Sequence, residues 1–253
     1  MQMRFGIALL LCLACICVTH AEKLKIGVFI HSPYVMQKAP GSEPYGPGVD
    51  YAKAVARALG YEPDVRLLPI ARIIDNLENG SLDMGLELGM TEARKKFLLY
   101  PASPCLVSHP ALTVKADNAI TAIASAKDLT GMRIGYILGG YTGSFFNGKK
   151  NVTFEYVSGD AWIAQNFSKL MSGRIDAILD QNEYSCLAEA RQRGVEKQIK
   201  VLLLPGAPVK SYVVFSRASP DAKRLLRAYN ALDASSVPSE NALVLKHLDS
   251  IGR

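Results

Sequence analysis

"LENGSLD" at residues 77–83 and "LMSGRID" at residues 170–176 share one pattern, Leu-x-x-Gly-x-apolar-Asp. Each reads as a helix end, a glycine where left-handed backbone is favoured, and the start of a strand. Punctuation of this kind is common in α/β proteins, so its weight lies in what surrounds it. Before the first copy, residues 24–30 read as a strand. Residues 49–59 read as a helix with Ala52, Val55, Ala56 and Leu59 on one face and Gly60 as its stop, and 65–68 as a second strand. Ile70, Ile73, Ile74 and Leu77 stripe the helix that Gly80 ends, and 83–88 is a third strand. Around the second copy the order recurs. Residues 133–137 form a strand, the turn "GGYTGS" at 139–144 opens a short helix, and 152–157 is a strand. A helix over 160–172 turns Ile163, Phe167, Leu170 and Met171 inward, and 175–179 is a strand. Both units are β-α-β-α-β, which requires parallel strands joined by helical crossovers. The expected fold is α/β with two similar lobes, each a mainly parallel sheet flanked by helices.

The segment 101–115 is extended and apolar and would carry the chain from the first lobe to the second; 199–204 and 212–215 would carry it back, making a two-strand hinge. The chain finishes with "SPDAKRLLRAYNAL", where Ser219 is the expected cap and Pro220 the first helical residue, with Leu225, Leu226 and Tyr229 inward. A last helix is expected over 239–249, and both should pack on the first lobe. The expected division is 22–107 with 210–253 for lobe 1 and 108–209 for lobe 2.

Residues 1–21 place Arg4 before an unbroken apolar run from Ile7 to Val18 and end in Thr19-His20-Ala21. The run is too short for a settled membrane span and fits a secretory signal peptide cut after Ala21. Cys12, Cys15 and Cys17 would leave with it. The whole chain carries 29 basic and 23 acidic side chains, a net +6, and losing Arg4 leaves +5. That balance is mild and evenly spread, with no arginine-aromatic cluster, and does not point to nucleic acid. Cys105 and Cys186 remain, in a compartment where a disulfide could form. His31, His109 and His247 show no triad or metal spacing, and after Ala21 there is no HExxH, CxxC, P-loop or GxSxG. No cofactor or metal is expected.

A crevice between two α/β lobes, at the C-terminal ends of the strands, is where a small ligand would sit. The stretches "LELGMTEAR", "LGGYTGS" and "LDQNEY" all fall at such ends. At this point the chain resembles the periplasmic solute-binding proteins of polar amino-acid type, which feed ABC importers. "GPGVDYAKAVARALGY" resembles the family's Gly-aromatic-x-x-Asp-hydrophobic-Ala helix, with Pro47 or Val49 where a phenylalanine is usual. "LENGSLDMGLELGMTEAR" is similar to its strand ending in Thr-x-x-Arg, "DLTGMRIGYILGG" to its Asp-Leu-x-Gly element, and "LMSGRIDAILDQNEY" to its second Gly-x-x-Asp strand.

The resemblance implies a two-lobed, type II periplasmic-binding-protein-like fold. It also implies a non-catalytic monomer in the periplasm that presents a small polar ligand to an ABC permease. It implies that Arg94 takes a ligand carboxylate, a task suited to a planar fork of donors. Without it, Arg94 reads as a surface residue pairing with Glu92. Thr91 reads as a helix cap first and a ligand contact second. The family's serines or threonines before Thr-x-x-Arg are replaced by Glu87 and Gly89. Its aspartate for an α-ammonium is replaced by Gln181, beside Asp180. A neutral glutamine supplies no charge. Either Asp180 or Glu87 stands in, or the ligand is not an ordinary α-amino acid. Arg72, in "LLPIAR", offers a second cation if it faces inward. Gly140, with Gly139, lets backbone approach a ligand, and Tyr141 and Thr142 could add contacts. Tyr34 is the candidate aromatic wall, with core packing as its competitor, while Trp162 reads as core or rim. Two alternatives belong to other classes: a dehydratase of cyclohexadienyl acids using Glu87, Asp180 or Glu183 as general acid, and a sensing module for a membrane receptor.

Overall fold

The first strand of each β-α-β-α-β unit becomes the middle of three parallel strands, and the Leu-x-x-Gly-x-apolar-Asp motif explains how. The computed structural model describes residues 22–138, 142, 144–146, 151–159, 161–233 and 235–251. The expected signal peptide, and Gly139, Gly140 and Tyr141, lie outside them.

The first half runs β1 (Lys23–Val28), α1 (Pro47–Ala58), β2 (Glu62–Leu67), α2 (Ile70–Glu78) and β3 (Met84–Gly89). After them come one turn of helix α3 (Glu92–Lys95), β4 (Leu98–Leu99) and β5 (Leu106–Ser108). The second half runs β6 (Ala111–Lys115), β7 (Arg133–Ile137), β8 (Thr153–Val157), α4 (Trp162–Met171), β9 (Ala177–Asp180), α5 (Ser185–Gln192) and β10 (Ile199–Leu203). The chain then returns through β11 (Val209–Ser216) to α6 (Ala222–Asn230) and α7 (Glu240–Ser250).

The sheets are ordered β2-β1-β3-β11-β4, with β5 also on β11, and β10-β6-β9-β7-β8. β1 pairs in parallel with β2 and β3, and β7 with β8 and β9. β11 joins the first trio antiparallel and β6 the second. The sheets are therefore mixed: three parallel strands each, with antiparallel strands added where the chain crosses over and back.

Gly80 and Gly173 end the preceding helices at φ 79° and 71°, a conformation that a side chain disfavours. The aspartate that closes each motif then ties the third strand to the first. Asp83 Oδ2 accepts from the Lys25 amide at 3.0 Å, and the Asp83 amide donates to the Lys25 carbonyl. Asp176 Oδ2 accepts from the Arg133 amide at 2.8 Å, and its own amide donates to the Arg133 carbonyl. The two sequence copies thus mark the same joint.

Apolar stripes bury both faces of each sheet. Ile26, Val55, Phe215, Leu225 and Val244 pack on one side of the first sheet, and Ile73, Leu77, Leu88 and Val214 on the other. Full burial of each such side chain contributes about 1.5–3 kcal/mol. α6 and α7 do return to the first sheet, through Leu225, Val244 and Leu248. Ser219, however, is not a cap and Pro220 is not helical: α6 begins at Ala222, and the Ser219 hydroxyl donates to Asp83 Oδ1 at 2.8 Å instead. That tertiary partner outcompetes the local one. The "GGYTGS" turn leads only into a three-residue 3-10 turn, Ser144–Phe146. Cys105 and Cys186 are buried free thiols in separate apolar clusters.

Replacing Asp83 by alanine leaves the Lys25 amide and the Ser219 hydroxyl without their acceptor. We expect urea unfolding to show a loss of about 1–3 kcal/mol. A loss below about 0.5 kcal/mol would show that the aspartate does not hold the joint.

Candidate functional site

β1 ends in Phe29-Ile30-His31, and a tight turn through the cis Ser32–Pro33 bond brings Tyr34 back beneath the His31 ring. Their centroids lie 4.9 Å apart, with Phe29 stacked on the far side at 5.8 Å. Next to β1, strand β3 carries a bulge. Leu88 pairs with Tyr212 but Gly85 pairs with Val214, so β3 holds one residue more than its partner. Glu87 absorbs it at φ 55°, a left-handed backbone rare outside glycine. Strain of this kind costs on the order of 1–3 kcal/mol and persists where surrounding structure enforces it. Here it turns the Glu87 carboxyl inward, onto His31 Nδ1.

A second acid meets it there. Glu240, the first residue of α7, is fully buried, and its carboxyl faces that of Glu87 across Gly48. A methyl group on Gly48 would lie 2.9 Å from Glu87 Oε1 and 3.1 Å from Glu240 Oε1, so glycine leaves the two carboxyls their room. Burial pushes the Glu87 carboxyl up to about 7. Glu240 lies well above the usual carboxylate range, through burial first and then the neighbouring Glu87. From the second sheet, Asp180 at the end of β9 faces His31. Burial pushes it up to about 6, against the pull of His31 and of the amides of Gln181 and Asn182. Burial lowers His31, opposed by Asp180 and Glu240. His31 thus stands where the sheets meet, with acids from both.

In front of this cluster lies a cleft of about 690 Å³. The first sheet lines it with Phe29, His31, Gln37, Leu68 and Ile70, and the second with Tyr136, Leu138, Trp162 and Gln181. Trp162 packs edge-on against Tyr136, and Gln181 hydrogen-bonds the Tyr136 hydroxyl. The volume suits a small molecule.

Of the residues singled out from sequence, Gln181 lies on the cleft wall. Glu87 and Asp180 lie behind His31, 6% and 7% exposed. Tyr34 is fully buried and forms no wall; its ring supports His31 instead, because the Ser32–Pro33 turn folds it under the sheet. Arg94 stands at the C-terminal end of β3, level with the end of β1. Its Nη1 donates to the Gly89 carbonyl at 2.9 Å, and its amide donates to the Thr91 hydroxyl at 3.2 Å. Thr91 is thus a helix cap. Glu92 pairs with Lys95 at 2.6 Å rather than with Arg94, which has no acidic partner among the described residues. Arg72 is exposed on α2, two residues beyond Ile70 of the cleft wall, also without an acidic partner among them. Thr142 is half-buried. Sequence reasoning passed over His31, Gln37 and Glu240 and undervalued Trp162. Of these, only the aromatic Trp162 at the start of α4 carried a signal.

The sequence profile of the bacterial extracellular solute-binding proteins, family 3, matches residues 24–232. The chain belongs to this family. Among solved structures, an amino acid ABC transporter substrate-binding protein, AbpA from Streptococcus pneumoniae bound to L-arginine, is similar. It shares 18% identity over 91% of this chain and 96% of its own, with a TM-score of 0.69. An ancestral arginine-binding protein bound to arginine shares 22% identity over 88% of this chain and 97% of its own, TM-score 0.66. The VFT2 domain of Bordetella pertussis BvgS shares 13% over 88% and 92%, TM-score 0.67. No curated protein matches in sequence. As a solute-binding protein of this family, the chain has the type II fold of its neighbours and an extracytoplasmic place of work. No helix among the described residues is long and apolar enough to cross a membrane.

A carboxyl that titrates higher folded than unfolded contributes stability that is fully present below its ordinary value of 4.5 and is lost as pH rises through about 7. Glu87→Gln removes that loss. The stability of the variant minus that of the wild type should therefore rise by roughly 1–3 kcal/mol between pH 5 and pH 8. A flat difference in denaturation series across that range would show that Glu87 titrates normally.

Proposed function

We propose that the protein captures a small carboxylate-bearing solute, an amino acid or a relative of one, and presents it to an ABC permease. The observation that carries this reading is Arg94. A guanidinium pinned by one nitrogen to the Gly89 carbonyl, without an acidic partner among the described residues, stands at the end of β3, the strand beside β1, whose own end lines the cleft. A carboxylate would accept from its remaining donors in a charge-assisted pair. The names of the neighbours, amino acid ABC transporter binding proteins among them, support the same class of ligand.

In this reading 22–107 with 210–253 move as one body and 108–209 as the other, a division supported by strand membership of the two sheets. Residues 1–21 direct the protein to the periplasm, where it works as a monomer. Contacts from both lobes to the solute favour the closed state. Thr91 and Gly89 shape the Arg94 corner, while Gly140, Tyr141 and Thr142 contribute from the second lobe. A binding rather than catalytic role is supported by the position of the acids: Glu87 and Asp180 sit behind His31, and Glu183 is tied to His109 through the backbone amide at 2.6 Å.

Mass spectrometry of the solute that co-purifies, followed by calorimetry, tests the reading. Arg94→Ala should weaken binding by roughly 10- to 100-fold, the worth of a hydrogen bond to a charged group. Affinity and ligand-induced thermal shift unchanged from wild type would remove Arg94 from the site.

A further inference from the structure

Resting on that reading, we propose that the solute is a carboxylate with an aromatic or branched apolar body and no ammonium group.

An α-amino acid brings a cation as well as an anion, and burying the cation without an anionic partner is expensive. Among the described residues, no carboxylate lines the cleft. The three nearest acids are each turned away. Glu87 is bent back by its bulge onto His31, Glu240 lies beneath Gly48 against Glu87, and Asp180 faces His31 and takes the amides of Gln181 and Asn182. All three are 7% exposed or less. Glu189 borders an adjoining gap of about 100 Å³, which shares Ile30, His31 and Trp162 with the cleft, and it is engaged by Arg193 at 2.6 Å. The polar groups on the cleft wall are His31, Gln37, Gln181 and the Tyr136 hydroxyl, none of them an anion.

Between these the wall is apolar. Phe29, Leu68 and Ile70 face Leu138 and Trp162, which suits a flat or branched hydrocarbon body and gives a charged side chain nothing to pair with. Arg94, at the end of β3, and Arg72, on α2 two residues beyond the wall residue Ile70, have no acidic partner among the described residues. Anion at one end and hydrocarbon at the other is the ligand this distribution accepts. Position 181 decides the matter: it lies on the cleft wall directly after Asp180 in the chain, and it carries a neutral amide.

The test pairs each deaminated acid with its amino acid: 3-phenylpropanoate against phenylalanine, and 4-methylpentanoate against leucine, with arginine and glutamine as polar controls. The protein is first freed of co-purified solute by dialysis from guanidinium chloride. Calorimetry and the emission of Trp162, the sole tryptophan, report binding. At least one deaminated acid should bind about tenfold or more tighter than its amino acid and than arginine or glutamine. Gln181→Asp, checked for folding by circular dichroism, should shift that preference toward the amino acid by about tenfold.

The inference is overturned if any amino acid binds as tightly as the deaminated acids. It is also overturned if the preference of a folded Gln181→Asp variant does not move. Tight amino-acid binding that is lost in Arg94→Ala would sink this inference and leave solute capture standing. Binding by none of the six compounds would sink this inference alone if a different carboxylate co-purifies, and both readings if none does.

Discussion

The chain passes between its two sheets twice, through residues 108–111 on the way out and 203–209 on the way back, and the functional geometry follows from that constraint. β5 lies against β11 in the first sheet and β6 against β10 in the second, all antiparallel, so the crossings run side by side. Hydrogen bonds bind this waist: the Ser108 hydroxyl to the Gln181 carbonyl at 3.0 Å, and the Leu204 amide to the Pro110 carbonyl at 2.8 Å. Paired crossings leave the C-terminal ends of β1 and β3 facing those of β7 and β9. A cleft at that place is a consequence of topology, and loop residues then decide its chemistry.

What fills the waist is unusual for a protein interior. Three acids and one histidine gather there, from β3, α7, β9 and the end of β1. Burial raises all three acids and lowers the histidine, so every member is biased toward its neutral form. Carboxyls kept partly protonated can share a dry space that two carboxylates could not. The arrangement also explains the apolar cleft. Acids committed to supporting His31 from behind do not reach the front wall, where the solute would lie.

Much of the fold was legible in one dimension. The repeated Leu-x-x-Gly-x-apolar-Asp motif marked two equivalent joints, and the structure supplies the reason: a left-handed glycine ends a helix, and an aspartate clasps the first strand of the same unit. The apolar stripes at Ile73 and Leu77, and at Ile163, Phe167 and Leu170, lie inside as their spacing requires. The site was less legible. Arg94, Gln181 and Asp180 could be singled out as residue types at strand ends, but not which way each side chain would turn. Tyr34 read in sequence as an aromatic wall or a core residue, and its place under His31 decided for the core.

Sequence by itself determined what depends on neighbours along the chain. Helix and strand periods, glycine stops and the doubled β-α-β-α-β unit are local patterns, and a parallel sheet is the one way to satisfy them. Tertiary structure alone decided where the charges went. The bulge that turns Glu87 inward exists only relative to β11, and Glu240 arrives from a helix 153 residues further along. The partner that claimed Ser219 from its expected cap, Asp83, lies 136 residues away. Burial and the electrostatics it creates are sums over whatever the fold brings close, and no stretch of sequence carries that sum.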